Sequence, residues 1–250
     1  MADGVGRLAW TWPAAGNVPT VVGIDEAGRG CLAGPVYAAA VIWRTRPEAT
    51  PENDALVRLV RDSKTLSRGQ RDRVRAFIER HADAWGVGVA SREEIDRVNI
   101  LRATLKAMHR AVDAALAKEA TSTSTEAIDD YTHVTLLVDG DRFEPYTSPR
   151  DGSFVSHTCI TEGDAKVVAI AAASILAKTH RDEYMRGEHA HGTYPLYGWD
   201  RNAGYGTAEH MRALKEHGAC PLHRTSFAPV RAAKQHDREM AGFDAAPPKS

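Results

Sequence analysis

The stretch VVGIDEAGRG, residues 21–30, is the most informative part of this chain, because it indicates both a buried strand and a reactive site. Its mostly apolar start predicts a buried strand, which runs directly into the adjacent carboxylates of Asp25 and Glu26. An ionised carboxylate at the end of a buried strand is costly unless a metal ion or another cation compensates its charge. The Gly-Arg-Gly turn that follows, residues 28–30, lets the backbone approach a ligand closely. The pattern predicts a metal-dependent site that handles phosphate or sugar.

Alternation along a strand places neighbouring side chains on opposite faces. Asp25 and Glu26 are therefore expected to share a site only if the strand stops at Asp25 and the turn brings Glu26 round. The alternative interpretation is an acidic pair that ends a surface strand and is simply solvated. The glycines and Arg29 that follow favour the functional interpretation.

Composition indicates a globular chain that is long enough to bury a substantial core. Of its 250 residues, 43% are hydrophobic and 26% are charged, as in ordinary soluble domains. No stretch reaches the roughly 20 apolar residues of a membrane span, no apolar signal core precedes the strand, and three scattered cysteines fit a reducing cytoplasm. A net charge of −1 argues against a protein that binds nucleic acid non-specifically through its overall charge. Basic segments 61–80 and 212–238 are each either phosphate-binding faces or solvated helix sides.

Periodicity and capping signals predict an α/β core with an antiparallel portion and a small helical extension at the carboxyl end. Capping boxes begin two helices, Ser67 with Gln70 and Ser91 with Glu94, and residues 44–54 are expected to be a polar loop. The predicted strands cover 20–25, 35–43, 85–90, 134–138 and 154–160, and the predicted helices cover 67–81, 91–120, 165–185 and 207–216.

Four segments are predicted along the chain. Residues 1–18 form a loose arm, 19–186 the catalytic core, 187–232 a helical substrate-binding extension, and 233–250 a disordered tail. A run of Thr and Ser, Thr121–Thr125, is predicted to be a mobile loop.

Further acids stand at the ends of other predicted elements. Asp139 ends an apolar strand, as Asp25 does, and Asp164 precedes an alanine-rich helix, where it is either a helix N-cap or a site residue. Carboxylate oxygens suit Mg²⁺ or Mn²⁺ rather than Zn²⁺. Together with Glu26, these acids could hold two ions about 3.5–4 Å apart and clamp the attacking and leaving oxygens of a phosphodiester.

Several motifs in series resemble ribonuclease HII, a type 2 ribonuclease H. They are IDEAGRGCLAGPVYAAAVI from Ile24, DSKTLS at 62–67, VDG at 138–140, GDAKVVAIAAASILAKTHRD at 163–182, and NAGYGTAEHMRALKEHGACPLHRTSF at 202–227. The resemblance covers roughly residues 20–230 in the expected order. It implies a ribonuclease-H-like mixed sheet flanked by helices, with a small helical extension at the carboxyl end.

The resemblance also assigns roles to individual residues. It implies that Asp25, Glu26, Asp139 and Asp164 bind the metal ions and are catalytic. The Gly-Arg-Gly motif that recognises the ribose 2′-hydroxyl in the family corresponds to Gly28, Arg29 and Gly30. The family's phosphate-binding lysine corresponds to Lys64, and its junction-sensing tyrosine corresponds to Tyr205. Ala203 and Gly206 depart from the family's usual lysine and proline beside that tyrosine. Spacing alone would favour a packed aromatic at Tyr205, and no role is assigned to Asp141.

The activity that the resemblance implies is endonucleolytic cleavage 5′ to ribonucleotides, in RNA–DNA hybrids and at single ribonucleotides in duplex DNA. Cleavage would use two Mg²⁺ or Mn²⁺ ions and leave 3′-hydroxyl and 5′-phosphate ends. The resemblance further implies that the protein acts in the cytoplasm, in DNA replication and in ribonucleotide excision repair. The rival interpretations are a hybrid-binding module without catalysis and a phosphotransferase or nucleotide hydrolase, which the lack of a Walker-type loop disfavours. A monomer is the default expectation, and an interaction with a sliding clamp is left open.

Overall fold

The computed structural model describes residues 20–61, 66–121, 133–149, 152–190 and 194–233. The predicted arm 1–18, nearly all of the predicted tail, and most of Thr121–Thr125 lie outside these residues. The strands are β1 (Thr20–Ala27), β2 (Val36–Ile42), β3 (Ala84–Ala90), β4 (Val134–Asp139), β5 (Tyr146–Thr147) and β6 (Phe154–Ile160). Five of these were predicted, and only the two-residue β5 was not.

The six strands form one mixed sheet in the order β3-β2-β1-β4-β6-β5. β1 is antiparallel to β2 and parallel to β4, which is parallel to β6, whereas β5 and β6 are antiparallel. Two parallel neighbours in the middle of the sheet, β1 and β4, present their carboxyl ends at the same edge. That edge is where the sequence places Asp25 and Asp139.

Seven α-helices accompany the described strands. They are α1 (Pro51–Arg61), α2 (Arg68–His81), α3 (Arg92–Val98), α4 (Ile100–Ala120), α5 (Val168–Ala190), α6 (Trp199–Asn202) and α7 (Ala208–His217). The capping boxes of Ser67 and Ser91 are both formed. The expected loop over 44–54 is wrong from Pro51 onwards, because Pro51 opens α1 with Glu52 and Asp54 in its first turn.

The structure has two helices where the sequence predicts one. The long helix expected from Ser91 to Ala120 breaks at Asn99, whose φ of 73° lies in the left-handed region. With a ψ of 164°, Asn99 lies outside the left-handed helical well, in a strained backbone conformation that neither helix can continue through. Its side-chain oxygen also accepts a hydrogen bond of 3.0 Å from the Arg102 backbone N–H, in the first turn of α4. A single residue thus ends α3 and caps α4.

The alanine-rich face of α5 lies very close to the central strand. A Cβ added to Gly23 of β1 would stand 2.2 Å from the backbone carbon of Ala169. Only glycine therefore fits at this position, and only small residues fit on the facing helix. The core here joins α5, α1 and α2 to the sheet, with Ala39, Val41, Trp43, Leu56, Val60, Val74, Phe77, Ile78, Ala172, Ile175 and Leu176 among its buried side chains.

The chain divides into two compact units. Of the described residues, the first unit contains 20–27, 37–89 and 104–180, and the second contains 28–36, 90–103 and 181–233. The segment 28–36, which includes the Gly-Arg-Gly turn, is thus grouped with residues of the carboxyl-terminal part. The predicted division into 19–186 and 187–232 stays a prediction.

Candidate active site

Strand register brings two of the predicted acids to the same edge of the first unit. Ile24 of β1 is paired with Val138 of β4 in parallel orientation, so the next residues, Asp25 and Asp139, lie at the same end of neighbouring strands. Asp25 is only 7% exposed. These two carboxylates come from opposite halves of the described chain and meet only through the sheet.

The backbone beside a third predicted acid, Asp164, approaches Asp139 through a short turn. The backbone N–H of Gly163 donates to Asp139 Oδ1 at 2.7 Å, and Asp164 follows in a 3₁₀ helix, Gly163–Ala165. A Cβ on Gly163 would lie 3.2 Å from Asp139 Oδ1, so glycine permits this approach. Asp164 is 6% exposed. The helix N-cap interpretation of Asp164 is wrong, because α5 begins only at Val168.

The electrostatics of Asp25 show how closely the acids are crowded. Burial raises the pKa of Asp25 well above its ordinary value, and the neighbouring charges of Glu26 and Asp139 raise it further. A hydrogen bond with the Ser174 side chain and one from the Glu26 backbone N–H, at 2.7 Å to Oδ1, lower it in part. Like charges that are held together without water favour proton uptake or a compensating cation.

Strand β1 does not stop at Asp25 as expected. It continues through Ala27, because β2 extends the antiparallel ladder to the pair Ala27 and Tyr37. Alternation then puts the Asp25 and Glu26 side chains on opposite faces of the strand end. Their charges nevertheless interact, as the raised pKa of Asp25 shows.

The donor set suits a hard divalent cation. All four predicted ligands are carboxylates, whose oxygens Mg²⁺ and Mn²⁺ prefer. Within the described ranges, no three or more His, Cys, Asp or Glu side chains are already placed around a common ion position. The carboxylates fit the group because a cation would relieve the repulsion that raises the pKa of Asp25.

The Gly-Arg-Gly turn belongs to the second unit, and its two glycines serve different purposes. Gly28 has a φ of 96°, and a Cβ there would lie 2.0 Å from Nε of Arg181. Gly30 lacks a positive φ, and no heavy atom lies within 4 Å of an added Cβ. Arg29 and Gly30 are exposed, whereas Gly28 is buried. Gly28 is therefore required by packing, and Gly30 leaves open space beside the backbone.

Two buried arginines bind the backbone of residues 29–35, and sequence reasoning missed both. The Arg181 guanidinium donates to the carbonyls of Ala33 (3.1 Å), Pro35 (3.0 Å) and Ala203 (2.7 Å). Arg224 donates to the carbonyls of residues 29, 34 and 35 at 2.9–3.1 Å. Both are fully buried. The motifs THRD and HRTSF contain them, but nothing local indicates that carbonyls far away in the sequence are their acceptors.

Arg224 lies close to a second cation. Burial and, to a smaller extent, the nearby charge of Arg181 together lower the pKa of Arg224 to about 10. A guanidinium with a pKa of about 10 still carries its charge at neutral pH. Two buried positive charges therefore lie beneath the backbone of residues 28–35.

Tyr205 lies within the same unit, next to the segment that follows the turn. Its backbone forms an isolated antiparallel bridge with Cys31, and the Arg181 guanidinium carbon is 5.9 Å from its ring centroid. Its side chain is one of the few large apolar ones that are exposed, at 39%. Burial of the rest raises the pKa of its hydroxyl. The prediction of a merely packed aromatic does not account for this exposure.

The predicted phosphate contact, Lys64, lies outside the described residues. The basic segment 61–80 is visible in part as α2, whose Arg75 pairs with Glu79 at 2.7 Å. In the segment 212–238, Arg224 is buried rather than solvated. Its positive charge is thus structural and not part of a surface patch.

Comparison with known proteins settles the family. The ribonuclease HII family model matches residues 22–230. The chain is a member of the ribonuclease HII family. The ribonuclease HII of Bacteroides thetaiotaomicron is 47% identical over 205 residues, which are 82% of this chain and 88% of that protein. The ribonuclease HII of Thiobacillus denitrificans is 48% identical over 209 residues, 84% of this chain and 87% of that protein.

Several solved structures share the fold of this chain. Ribonuclease H2 from Pyrococcus horikoshii superposes with a TM-score of 0.60 at 21% identity, over 88% of this chain and 99% of that one. Bst-RNase HIII, solved in complex with Mn²⁺, gives 0.64 at 19%, over 90% and 71%. The RNase HII of Archaeoglobus fulgidus, solved with PCNA, gives 0.57 at 24%, over 86% and 97%. The predicted ribonuclease-H-like mixed sheet is confirmed.

Membership of this family identifies the chain as an RNase H hydrolase. It argues against a phosphotransferase and against a binding module without catalysis. In the part of the chain that the structure covers, no helix is long and apolar enough to cross a membrane.

Proposed function

We propose that this protein hydrolyses the phosphodiester 5′ to a ribonucleotide, both in RNA–DNA hybrids and at a single ribonucleotide embedded in duplex DNA. The observation that carries the proposal is the buried Asp25 carboxylate at the end of β1, with the partly buried Glu26 and Asp139 carboxylates close enough to interact with it. Burial and like charge raise the pKa of Asp25, so the site favours a divalent cation. Two residues after Glu26 along the chain, the backbone reaches the open turn at Gly28–Gly30.

Asp25, Glu26, Asp139 and Asp164 would hold two Mg²⁺ or Mn²⁺ ions. When bound, such ions activate the attacking water and stabilise the leaving 3′-oxygen, which leaves 3′-hydroxyl and 5′-phosphate ends. The Mn²⁺ complex of Bst-RNase HIII supports this choice of metal.

The chain itself supplies the orientation of these ligands. The Gly163 N–H fixes one oxygen of Asp139, and Ser174 with the Glu26 N–H fixes Asp25. Hydrogen bonds from the protein hold a carboxylate in one orientation, which limits the reorganisation needed when substrate arrives. We therefore assign Ser174 and Gly163 to positioning the acids.

The turn is proposed to read the ribose. A 2′-hydroxyl both donates and accepts a hydrogen bond, and it is the one group that separates RNA from DNA. Backbone groups at Gly28, Arg29 and Gly30 can meet it, because the space beside Gly30 is open. The Arg224 guanidinium donates to the Arg29 carbonyl, and the Arg181 side chain packs against Gly28, so the turn is proposed to be held in place before substrate binds.

Tyr205 and Lys64 complete the proposed substrate contacts. The exposed part of the Tyr205 ring can stack on a sugar or base. Lys64 is proposed to contact a phosphate. The PCNA complex of the Archaeoglobus fulgidus protein supports a sliding clamp as a partner, and a cytoplasmic monomer remains our expectation.

A nuclease assay on duplex DNA with one ribonucleotide tests the proposal. Cleavage 5′ to the ribonucleotide is expected with Mg²⁺ or Mn²⁺ and not with a chelator, and the products should carry 3′-hydroxyl and 5′-phosphate ends. The matched control is Asp139→Asn, which keeps the side-chain shape. Cleavage that persists in the chelator, or on the 3′ side, would refute the assignment.

A further inference from the structure

Two histidines of the second unit contact each other, and one of them also contacts the backbone of Tyr205. His210 belongs to α7 and His223 follows Cys220 by three residues, and both imidazoles are fully buried. Their Nε2 atoms are 3.0 Å apart. The rings of Tyr197 and Trp199 enclose them, with centroid distances of 4.6–6.3 Å. Since neither ring reaches solvent, neither can touch the substrate.

The hydrogen-bond partners decide which nitrogen carries each proton. His210 Nδ1 is 2.9 Å from the carbonyl oxygen of Tyr205, which can only accept, so Nδ1 carries the hydrogen. His223 Nδ1 is 3.1 Å from both the backbone nitrogen and the Sγ of Cys220. The backbone N–H can only donate, and a thiol can donate as well, so this Nδ1 carries a lone pair. The hydrogen of neutral His223 is then on Nε2 and points at His210 Nε2.

These assignments form a directed chain with both histidines neutral. The Cys220 N–H donates to His223, His223 donates to His210, and His210 donates to the carbonyl of Tyr205. The indole N–H of Trp199 also points at His210 Nε2, at 3.4 Å, as it should if that nitrogen has a lone pair. Burial lowers the pKa of His210, which favours the same neutral form.

The chain ends on a backbone that is fixed from several sides. The Tyr205 N–H donates to the Asn202 carbonyl at 2.9 Å, and the Tyr205 carbonyl also accepts from the Thr207 N–H at 2.8 Å. The contact with His210 is the one in this group that comes from a side chain of another element. A fixed peptide plane on each side of Tyr205 fixes the direction of its Cα–Cβ bond, and so where the ring can reach.

We propose that His210 and His223 are positioning residues that set the Tyr205 ring for cleavage at the ribonucleotide junction. The inference rests on the proposed role of Tyr205 as a substrate contact. A ring misplaced by about 1 Å can cost a factor of 10² in rate when the contact acts in the transition state. The pair therefore controls turnover without touching the nucleic acid.

Two nearly isosteric substitutions separate positioning from packing. The amide nitrogen of asparagine is bonded to Cγ, as Nδ1 is, so His210→Asn keeps a donor for the Tyr205 carbonyl. The amide of glutamine lies one bond farther out, where Nε2 is, so His210→Gln loses that donor. We expect single-turnover cleavage of a one-ribonucleotide duplex to fall less than about threefold in His210→Asn and about tenfold or more in His210→Gln. Affinity for the duplex should change little in either variant.

The double variants His210→Gln/Tyr205→Ala and His223→Gln/Tyr205→Ala complete the test. If the histidines act through Tyr205, each double variant should cleave as slowly as Tyr205→Ala alone and no more slowly. Multiplied losses, or equal losses in His210→Asn and His210→Gln, would overturn the inference and leave the pair as core packing. A Tyr205→Ala variant that cleaves at the wild-type rate would instead overturn the proposed role of Tyr205, and the inference with it.

Discussion

The Arg181 side chain fills the space where a Cβ of Gly28 would be. The distance from that Cβ position to Arg181 Nε is 2.0 Å, and the Gly28 φ is 96°. Gly28 therefore meets two demands at once, a left-handed backbone and room for a buried guanidinium. Gly30, two residues later, meets neither. The two glycines of one motif should consequently respond differently to the same substitution.

We predict that Gly28→Ala lowers the free energy of unfolding by about 1–3 kcal/mol, because the left-handed φ is strained for alanine and Arg181 must move. Gly30→Ala should leave that free energy within about 0.5 kcal/mol of the wild type. It should nonetheless slow cleavage, because its methyl group fills the open space proposed for the ribose. Urea unfolding and the nuclease assay measure the two effects. Equal stability losses would contradict the distinction.

The crowded carboxylates lead to a second prediction. With a chelator at neutral pH, Asp25→Asn should raise the free energy of unfolding by about 1 kcal/mol, since one of the repelling buried charges disappears. The same variant should lose cleavage by about 10³-fold or more. Ser174→Ala is the matched control, because it removes a hydrogen bond from Asp25 without changing the charge and should destabilise the protein. A large loss of stability in Asp25→Asn would contradict the electrostatic account.

Metal ions should stabilise the folded protein through the same acids. Adding Mg²⁺ or Mn²⁺ should raise the melting temperature of the wild type, because a ligand that binds only the folded state shifts the equilibrium by mass action. Asp139→Asn should show a much smaller rise, which a thermal-shift titration would measure. An undiminished rise would place the ions elsewhere.

Acid stability should depend on Asp96. Burial alone would raise the pKa of this carboxylate, but hydrogen bonds from the backbone and hydroxyl groups of Ser226 and Thr225, at 2.6–2.9 Å, lower it to about 2. A depressed pKa means that Asp96 stabilises the fold fully above its unfolded value near 3.8 and loses this effect as pH falls towards 2. Asp96→Asn should cost about 2 kcal/mol at pH 7. The difference between the two proteins should shrink between pH 4 and pH 2, and a constant difference would disprove the linkage.

Tyr205 should act in turnover rather than in affinity. A single 2′-hydroxyl contributes little binding energy, so selectivity for one ribonucleotide has to arise mainly in the transition state. We expect Tyr205→Ala to slow cleavage far more than it weakens binding, and most severely on a duplex with one ribonucleotide. Rates and affinities on that duplex and on continuous hybrid are the measurement. Equal effects on both substrates, or an effect on affinity alone, would make Tyr205 a packing residue.

Lys64 should act on the substrate through its charge alone. Lys64→Ala is expected to weaken hybrid binding and to reduce the slope of log affinity against log salt by about one unit, because one phosphate fewer is neutralised by the protein. Titrations at several salt concentrations would show it. An unchanged slope would mean that this lysine is ordinary solvated charge.

Local signals predicted most of the fold, and their failures have local causes. The capping boxes at Ser67 and Ser91 fix helix starts by hydrogen bonds between residues three apart, which a sequence displays directly. The break at Asn99 depends on one left-handed residue inside an otherwise continuous apolar stripe, so periodicity alone does not reveal it. The extension of β1 to Ala27 depends on its partner β2 and not on the residues of β1 itself.

The candidate site also contains residues that the sequence predicts and residues that it does not. The acids could be predicted because each follows an apolar run that marks the end of a strand, as at Asp25 and Asp139. Arg181 and Arg224 were not, because their acceptors are backbone carbonyls, which every residue carries and no sequence distinguishes. Nothing in the local sequence links His210 or His223 to Tyr205, and only the direction of their hydrogen bonds reveals the connection.

The parallel pairing of β1 with β4 also determines when the active site forms during folding. Asp25 and Asp139 are separated by almost half of the chain, and their meeting requires a strand pairing of high contact order, which forms slowly. In a chain that is still being synthesised or is only partly folded, these acids have not yet been brought together. Nuclease activity should therefore appear together with global folding, and a refolding experiment should recover cleavage no earlier than the native sheet.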